Sequence, residues 1–66
     1  MTPTELRIAR RSLGLSTKGL ADILRVSESA VWRWEAGQRD VPGYADLIVE
    51  ILVRFPEVRE WVCGPF

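Results

Sequence analysis

The sequence contains no histidine, a single cysteine (Cys63) and no long run of apolar residues. One cysteine excludes an intrachain disulfide, and without histidine or clustered thiols there is no pattern for a metal site. No stretch approaches the ~18 apolar residues of a membrane-spanning helix, and the N-terminus lacks the basic-then-apolar pattern of a signal peptide. We therefore expect a protein of the cytoplasm that uses no metal or other cofactor and has no role at a membrane.

The same composition argues against catalysis. General acid–base and metal chemistry need titratable groups that converge in a pocket. This chain has no histidine, no phosphate-binding glycine loop and no base to activate Cys63. We expect neither an enzyme nor a small-molecule substrate, and we interpret Cys63 as a small hydrophobic residue of an interface rather than a redox switch.

A chain of 66 residues predicts one domain, residues 1–66. A domain of this size buries only about 60% of the surface that its unfolded chain exposes, so its stability is marginal. Because disulfides and metals are excluded, packing or dimerisation must stabilise it.

The charge is unevenly distributed although the formal net charge is zero. Residues 1–39 carry seven basic and four acidic side chains, a net +3, whereas residues 40–66 carry two basic and five acidic ones, a net −3. Such an asymmetry indicates binding to a polyanion through one end of the molecule, although two merely solvated surfaces would give the same pattern.

Helix signals divide the first half of the chain into three short segments. Thr2, Pro3 and Glu5 form a capping-box pattern, and Gly14 provides a left-handed stop, which predicts a first helix over about residues 3–13. Serines at positions 16 and 27 cap two further helices, separated by a three-residue break, and the glycine at position 37 ends the third.

The second and third helices therefore have the lengths and spacing of a helix-turn-helix, with the small Ala21 where the two helices approach most closely. In the apolar segment 44–55, the side chains of Leu47, Ile48, Ile51, Leu52 and Phe55 predict a fourth helix. Pro56 starts a short fifth helix. The predicted fold is all-α, a compact bundle of five short helices.

Two tryptophans of the third helix point to different sides. Trp34 shares a face with Ala30 and Val31, which predicts a core position. Trp32 is displaced from that face by about 200° and is expected on the exposed side, where an aromatic ring suits a partner-binding surface. The alternative is that Trp32 folds over Leu24 or Val26.

Two charged residues fall within apolar faces. Arg10 lies between Leu6 and Leu13 on the first helix, and Glu35 follows Val31 by one turn. Since a buried unpaired charge is costly, we predict an Arg10–Glu35 ion pair.

These residues together resemble the helix-turn-helix family of phage Cro and lambda-type repressors, also called Xre-like. The resemblance covers residues 4–55 and is carried by "LGLS" (13–16), "LADIL" (20–24), "VS" (26–27) and "VWRWEAGQ" (31–38), with Arg10 and Glu35 where the family keeps a buried pair. The segment "RWEAGQRDVP" also resembles a branch of very short phage and plasmid regulators, among them the anti-CRISPR-associated autorepressors.

The resemblance implies a homodimer that places its third helix in successive major grooves of a palindromic operator and represses transcription. The base-reading positions that it implies are Ser27, Glu28, Ser29, Trp32 and Arg33. The phosphate-binding positions that it implies are Thr17, Lys18, Gln38 and Arg39.

Three positions depart from the family pattern, which usually has glutamine at 17, glutamate at 19 and glycine at 25. The chain has Thr17, Gly19 and Arg25 there. The change at 17 removes a favoured phosphate donor, and Arg25 carries strain if its backbone is left-handed.

The last third of the chain has more apolar surface than short helices can cover. We predict that residues 56–66 are a dimerisation tail, with a two-fold interface formed by Phe55, Val58, Trp61, Val62 and Phe66. An alternative function, suggested by the zero net charge and by the acidic, aromatic tail, is a protein-interaction module such as an antitoxin or an adaptor.

Overall fold

A computed structural model describes residues 1–63 of the chain, and the side chains of residues 1–62. These residues form five helices and no strand: α1 (Pro3–Ser12), α2 (Thr17–Leu24), α3 (Glu28–Glu35), α4 (Gly43–Arg54) and α5 (Pro56–Cys63). The predicted all-α fold is confirmed. Over this described part of the chain, no helix has the length and apolar character needed to cross a membrane.

The predicted start and end of α1 are present. The Thr2 hydroxyl accepts a hydrogen bond from the Glu5 backbone N–H (3.1 Å), and the Thr2 N–H donates to Glu5 Oε1 (2.8 Å), which completes a capping box. Gly14 follows the helix with φ +72°, a conformation that only glycine adopts without strain. These local bonds satisfy backbone groups that the helix leaves unpaired.

Serine caps begin both helices of the helix-turn-helix. Ser16 Oγ accepts from the Gly19 N–H (2.9 Å), and Ser27 Oγ accepts from the Ala30 N–H (3.2 Å). The helices α2 and α3 pack against each other, with Ala21 almost completely buried. A leucine at this position would push the helices apart.

The core is assembled from α1 to α4. Its buried cluster consists of Leu6, Leu20, Ala21, Leu24, Val31, Trp34, Ala45 and Val49. Trp34 is therefore a core residue, as predicted, and α3 is supported on its inner side by α1 and α2.

The predicted helix α4 is present, but only part of its apolar pattern is buried. Leu52 is buried and Ile48 and Ile51 are half-buried, whereas Leu47 is 58% exposed and Phe55 49% exposed. The other buried positions of α4, which packs against α1, are smaller residues that the pattern did not include, Ala45 and Val49.

The helix α5 packs on α4 and is also bonded to α1. Arg59 Nη2 donates a hydrogen bond of 2.6 Å to the carbonyl of Leu13, the residue that ends α1. Of the residues predicted for a dimer interface, Val58 and Val62 are half-buried, whereas Phe55 and Trp61 are exposed, Trp61 to 77%. Phe66 and the side chain of Cys63 lie outside the described part.

Candidate nucleic-acid interface

The outer face of α3 is uncovered. Glu28, Ser29 and Arg33 are exposed and Trp32 is 61% exposed, whereas Val31 and Trp34 on the inner face are buried. The four outer side chains line a shallow hollow of about 360 Å³. This face therefore offers an acceptor, a hydroxyl, an indole ring and a guanidinium to a partner.

Trp32 does not fill the position that the alternative interpretation gave it. The side chain is 61% exposed, and it lines a hollow together with Arg7 of α1 and Thr17 at the start of α2. Trp32 therefore lines two surface hollows, this one and the hollow on the outer face of α3.

The N-terminal ends of α2 and α3 are joined by a side-chain hydrogen bond that the sequence reasoning did not predict. The Thr17 hydroxyl donates to Glu28 Oε2 at 2.7 Å. This bond connects an expected phosphate-binding position with an expected base-reading position. It orients the Glu28 carboxylate and leaves its second oxygen available as an acceptor on an exposed side chain.

Ser27 lies at the edge of the same face. Its hydroxyl oxygen already accepts from the Ala30 N–H, and the hydroxyl proton remains free for a second bond because a serine hydroxyl is both donor and acceptor. A role at the groove edge is therefore compatible with its role as a cap.

The remaining expected phosphate-binding residues lie at opposite ends of the helix-turn-helix. Lys18 is exposed in the first turn of α2. Gln38 and Arg39 are exposed just after α3, where their backbone N–H groups donate to the Arg33 carbonyl (2.9 and 3.4 Å). Cationic and amide side chains are therefore exposed both at the start of α2 and just after α3.

The turn between α2 and α3 contains a strained residue. Arg25 caps α2 with φ 60° and ψ 41°, the left-handed conformation. This is the conformation expected where glycine is usual in the resembled family. A non-glycine residue pays about 1–2 kcal/mol for it.

An ion pair holds α1 against α3 behind this face. Arg10 Nε donates to Glu35 Oε2 (2.7 Å) and Arg10 Nη2 to Glu35 Oε1 (3.1 Å), as the sequence predicted for this pair. Arg10 Nη1 also donates to the Leu15 carbonyl (2.9 Å). The hydrogen bonds to Glu35 raise the pKa of the Arg10 guanidinium, which therefore stays charged.

A second arginine, Arg7, also contacts Glu35, which the sequence analysis does not predict. Arg7 Nε lies 3.5 Å from Glu35 Oε1, and Arg7 Nη2 donates to the Glu35 carbonyl at 3.3 Å. The signal was present in the sequence, because Arg7 precedes Arg10 by three residues and so lies on the same side of α1. Glu35 is thus shared by two arginines.

Comparison with known proteins agrees with this geometry. A family model described as a helix-turn-helix domain matches residues 4–55 of the chain. No curated protein and no solved structure matches. The family match extends from the second residue of α1 through the end of α4, and so includes both helices of the motif and the supporting ion pair. The chain therefore belongs to the family of helix-turn-helix domains, a membership that indicates a DNA-binding regulator.

Proposed function

We propose that this protein is a transcriptional repressor of the Cro and lambda-repressor type, which binds a palindromic operator as a homodimer. Within that type, "RWEAGQRDVP" suggests the branch of very short phage and plasmid regulators, which commonly repress their own operon. As a regulator of transcription in a phage or bacterial system, it would act in the cytoplasm, without a cofactor or a catalytic activity.

The observation that carries this proposal is the outer face of α3. It is uncovered, it bears side chains that can recognise bases, and it stands on a helix that α1, α2 and the buried Trp34 support from behind. A helix of this kind fits the major groove of B-form DNA.

The side chains of this face suggest a division of roles. Arg33 can donate two hydrogen bonds to guanine O6 and N7, Glu28 can accept from cytosine N4, and Trp32 can pack on a thymine methyl group or a sugar. Ser27 and Ser29 can donate to or accept from either base. Lys18, Gln38 and Arg39, with the backbone amides near Thr17, would fix the orientation of the protein through phosphates.

We assign dimerisation to residues 56–66 together with Phe55. The exposed Phe55 and Trp61 are the large apolar side chains that a second copy would cover, and the half-buried Val58 and Val62 would complete the same surface. A two-fold axis there would have to place two copies of α3 about 34 Å apart, one turn of DNA.

Selection of binding sites from random duplexes tests the proposal. We expect an inverted repeat whose half-sites are separated by about one helical turn. With about six phosphate contacts, affinity for the selected duplex should fall several-hundredfold or more between about 50 and about 200 mM salt. Failure to enrich any site would contradict the proposal.

A protein-interaction module, such as an antitoxin or an adaptor, is the second candidate. It is favoured by the exposed Leu47, Val53 and Trp61, which lie outside the α3 face. Apolar binding to a protein partner would respond little to salt, so the salt series separates the two functions.

A further inference from the structure

We propose that the hollow between α1 and α3 is a binding site for a backbone phosphate of the DNA, so that α1 takes part in binding. The site is formed by Arg7, Arg10, Arg11, Thr17, Trp32 and Glu35. This assignment rests on the proposed DNA-binding function and adds to it two residues, Arg7 and Arg11, that no motif of the sequence indicated.

The charge of the hollow fits an anion. Three arginines and one carboxylate line it, a net charge of +2. The Glu28 carboxylate, which accepts from the lining residue Thr17, adds one negative charge nearby and leaves a surplus of +1. Glu35 is 8% exposed and bonds to Arg10 and Arg7. Among the described residues, no carboxylate lies within ion-pair distance of Arg11. The surplus of positive charge is therefore available to a ligand.

Two of the three arginines, Arg7 and Arg10, are also held in place before a ligand arrives. Three nitrogens of Arg10 are bonded to Glu35 and to the Leu15 carbonyl, and Arg7 is held at Glu35 through Nε and Nη2. Arginine has five N–H donors, so each guanidinium keeps donors for an additional acceptor. Ordered donors of this kind lose little side-chain entropy on binding a phosphate.

Size and position favour a DNA phosphate over a small molecule. The hollow has a volume of about 230 Å³, below the roughly 300–1,000 Å³ of typical small-molecule pockets. It also adjoins the base-facing hollow, because Trp32 lines both. A strand whose bases meet the outer face of α3 would pass this ring with its phosphates on the α1 side.

The opposite side of α1 carries a net negative charge. The groove between α1 and α4 is lined by three carboxylates and two cations, a net charge of −1: Glu5, Asp46 paired to the Met1 amino group at 3.1 Å, and Glu50 paired to Arg54 at 3.0 Å. Its net negative charge repels a polyanion. The difference in charge between the two sides of α1 therefore favours DNA binding on the side of the arginines.

The variants Arg7→Gln, Arg11→Gln and the double variant test the site against Arg54→Gln, which removes the same charge on the α4 side. Affinity is measured over a salt series for the selected duplex and for an unrelated duplex of equal length. We expect each hollow variant to lose several-fold in affinity for both duplexes, because a phosphate contact reads no sequence.

The salt dependence is the second readout. The slope of log affinity against log salt should fall by about 0.9 in the double variant, as for one lost phosphate contact, and stay unchanged in Arg54→Gln. Circular dichroism verifies that each variant is folded.

The results distinguish failure of the phosphate site from failure of the DNA-binding function on which that site rests. If the wild type binds its duplex and the double variant keeps the slope of Arg54→Gln, the phosphate site is refuted while the repressor function stands. If the wild type binds no duplex, the function fails, and titration with inorganic phosphate shows what the hollow holds. A saturable change in tryptophan fluorescence that is lost in Trp32→Phe and in Arg11→Gln would assign the hollow to a free anion, and no change would show that it holds none. Both results overturn the assignment to DNA.

Discussion

Arg10 on α1 and Glu35 at the end of α3 form a two-point ion pair, with both carboxylate oxygens bonded to the same guanidinium at 2.7 and 3.1 Å. Both residues are largely shielded from water. Together with Arg7, the pair ties the first helix to the proposed recognition helix at the side of the core.

Removing one partner of this pair should be costly. We expect Glu35→Ala to destabilise the protein by roughly 3 kcal/mol or more, because Arg10 would keep a poorly hydrated charge without a counterion. The double variant Arg10→Met, Glu35→Leu should lose much less, since the one charge that loses its partner, Arg7, is half exposed to water. Chemical denaturation followed by circular dichroism measures both. Equal stability of Glu35→Ala and the wild type would contradict the account.

Relief of the backbone strain at Arg25 should stabilise the protein. Glycine adopts φ 60° without a penalty, so Arg25→Gly should gain about 1 kcal/mol after its greater unfolded-state entropy is subtracted. For a domain of this size the melting temperature should rise by about 4–8 °C. Arg25→Ala, which removes the charge but keeps the strain, is the control and should show no such rise.

Acid should weaken the cap of α1. Hydrogen bonds from Thr2 lower the pKa of Glu5 below its ordinary value of 4.5, and the bond from the Thr2 backbone N–H has a larger effect than the bond to its side chain. The unfolded chain therefore takes up this proton at a higher pH than the folded one. The contribution of the Glu5 charge is complete above pH 4.5 and is lost as the pH falls through the lower, folded pKa. In thermal melts over a pH series, the melting temperature of the wild type should approach that of Glu5→Gln as the pH falls across this range. A difference that stays constant down to about pH 2 would refute the linkage.

Two arginines at α3 should differ in their effect on sequence preference. We expect Arg33→Ala to relax preference at one base position by about 1–3 kcal/mol, because a bidentate contact to a base is lost. We expect Arg39→Ala to weaken binding to all duplexes alike and to reduce the salt dependence. Binding-site selection and affinity measurements on single-base variants distinguish the two. A uniform loss for Arg33→Ala would remove it from the base-reading set.

The variant Trp61→Ala tests the proposed dimer interface. Because its side chain is 77% exposed, Trp61→Ala should leave the fold of the single chain intact. If the tail forms the interface, the variant should sediment as a monomer and lose affinity for the operator. Leu47→Ala, which removes another exposed apolar side chain from α4, is the matched control. An unchanged sedimentation mass for Trp61→Ala would place the interface elsewhere.

The sequence alone determined those features that depend on neighbours along the chain. The Thr2–Glu5 capping box, the serine caps at α2 and α3 and the inward face of Trp34 follow from local hydrogen bonding and helical period, and the structure contains each of them. The Arg10–Glu35 pair was also predictable, because two charges within the apolar faces of a small core require each other.

Tertiary structure alone decided how the helices rotate and which polar groups meet. Ala45 and Val49 are buried on α4 while the larger Leu47 is exposed, which the hydrophobicity of a helix considered by itself does not reveal. The bonds from Thr17 to Glu28 and from Arg59 to the Leu13 carbonyl join residues 11 and 46 positions apart. Long polar side chains have many rotamers, and only the packed arrangement of the helices selects the one that reaches a partner.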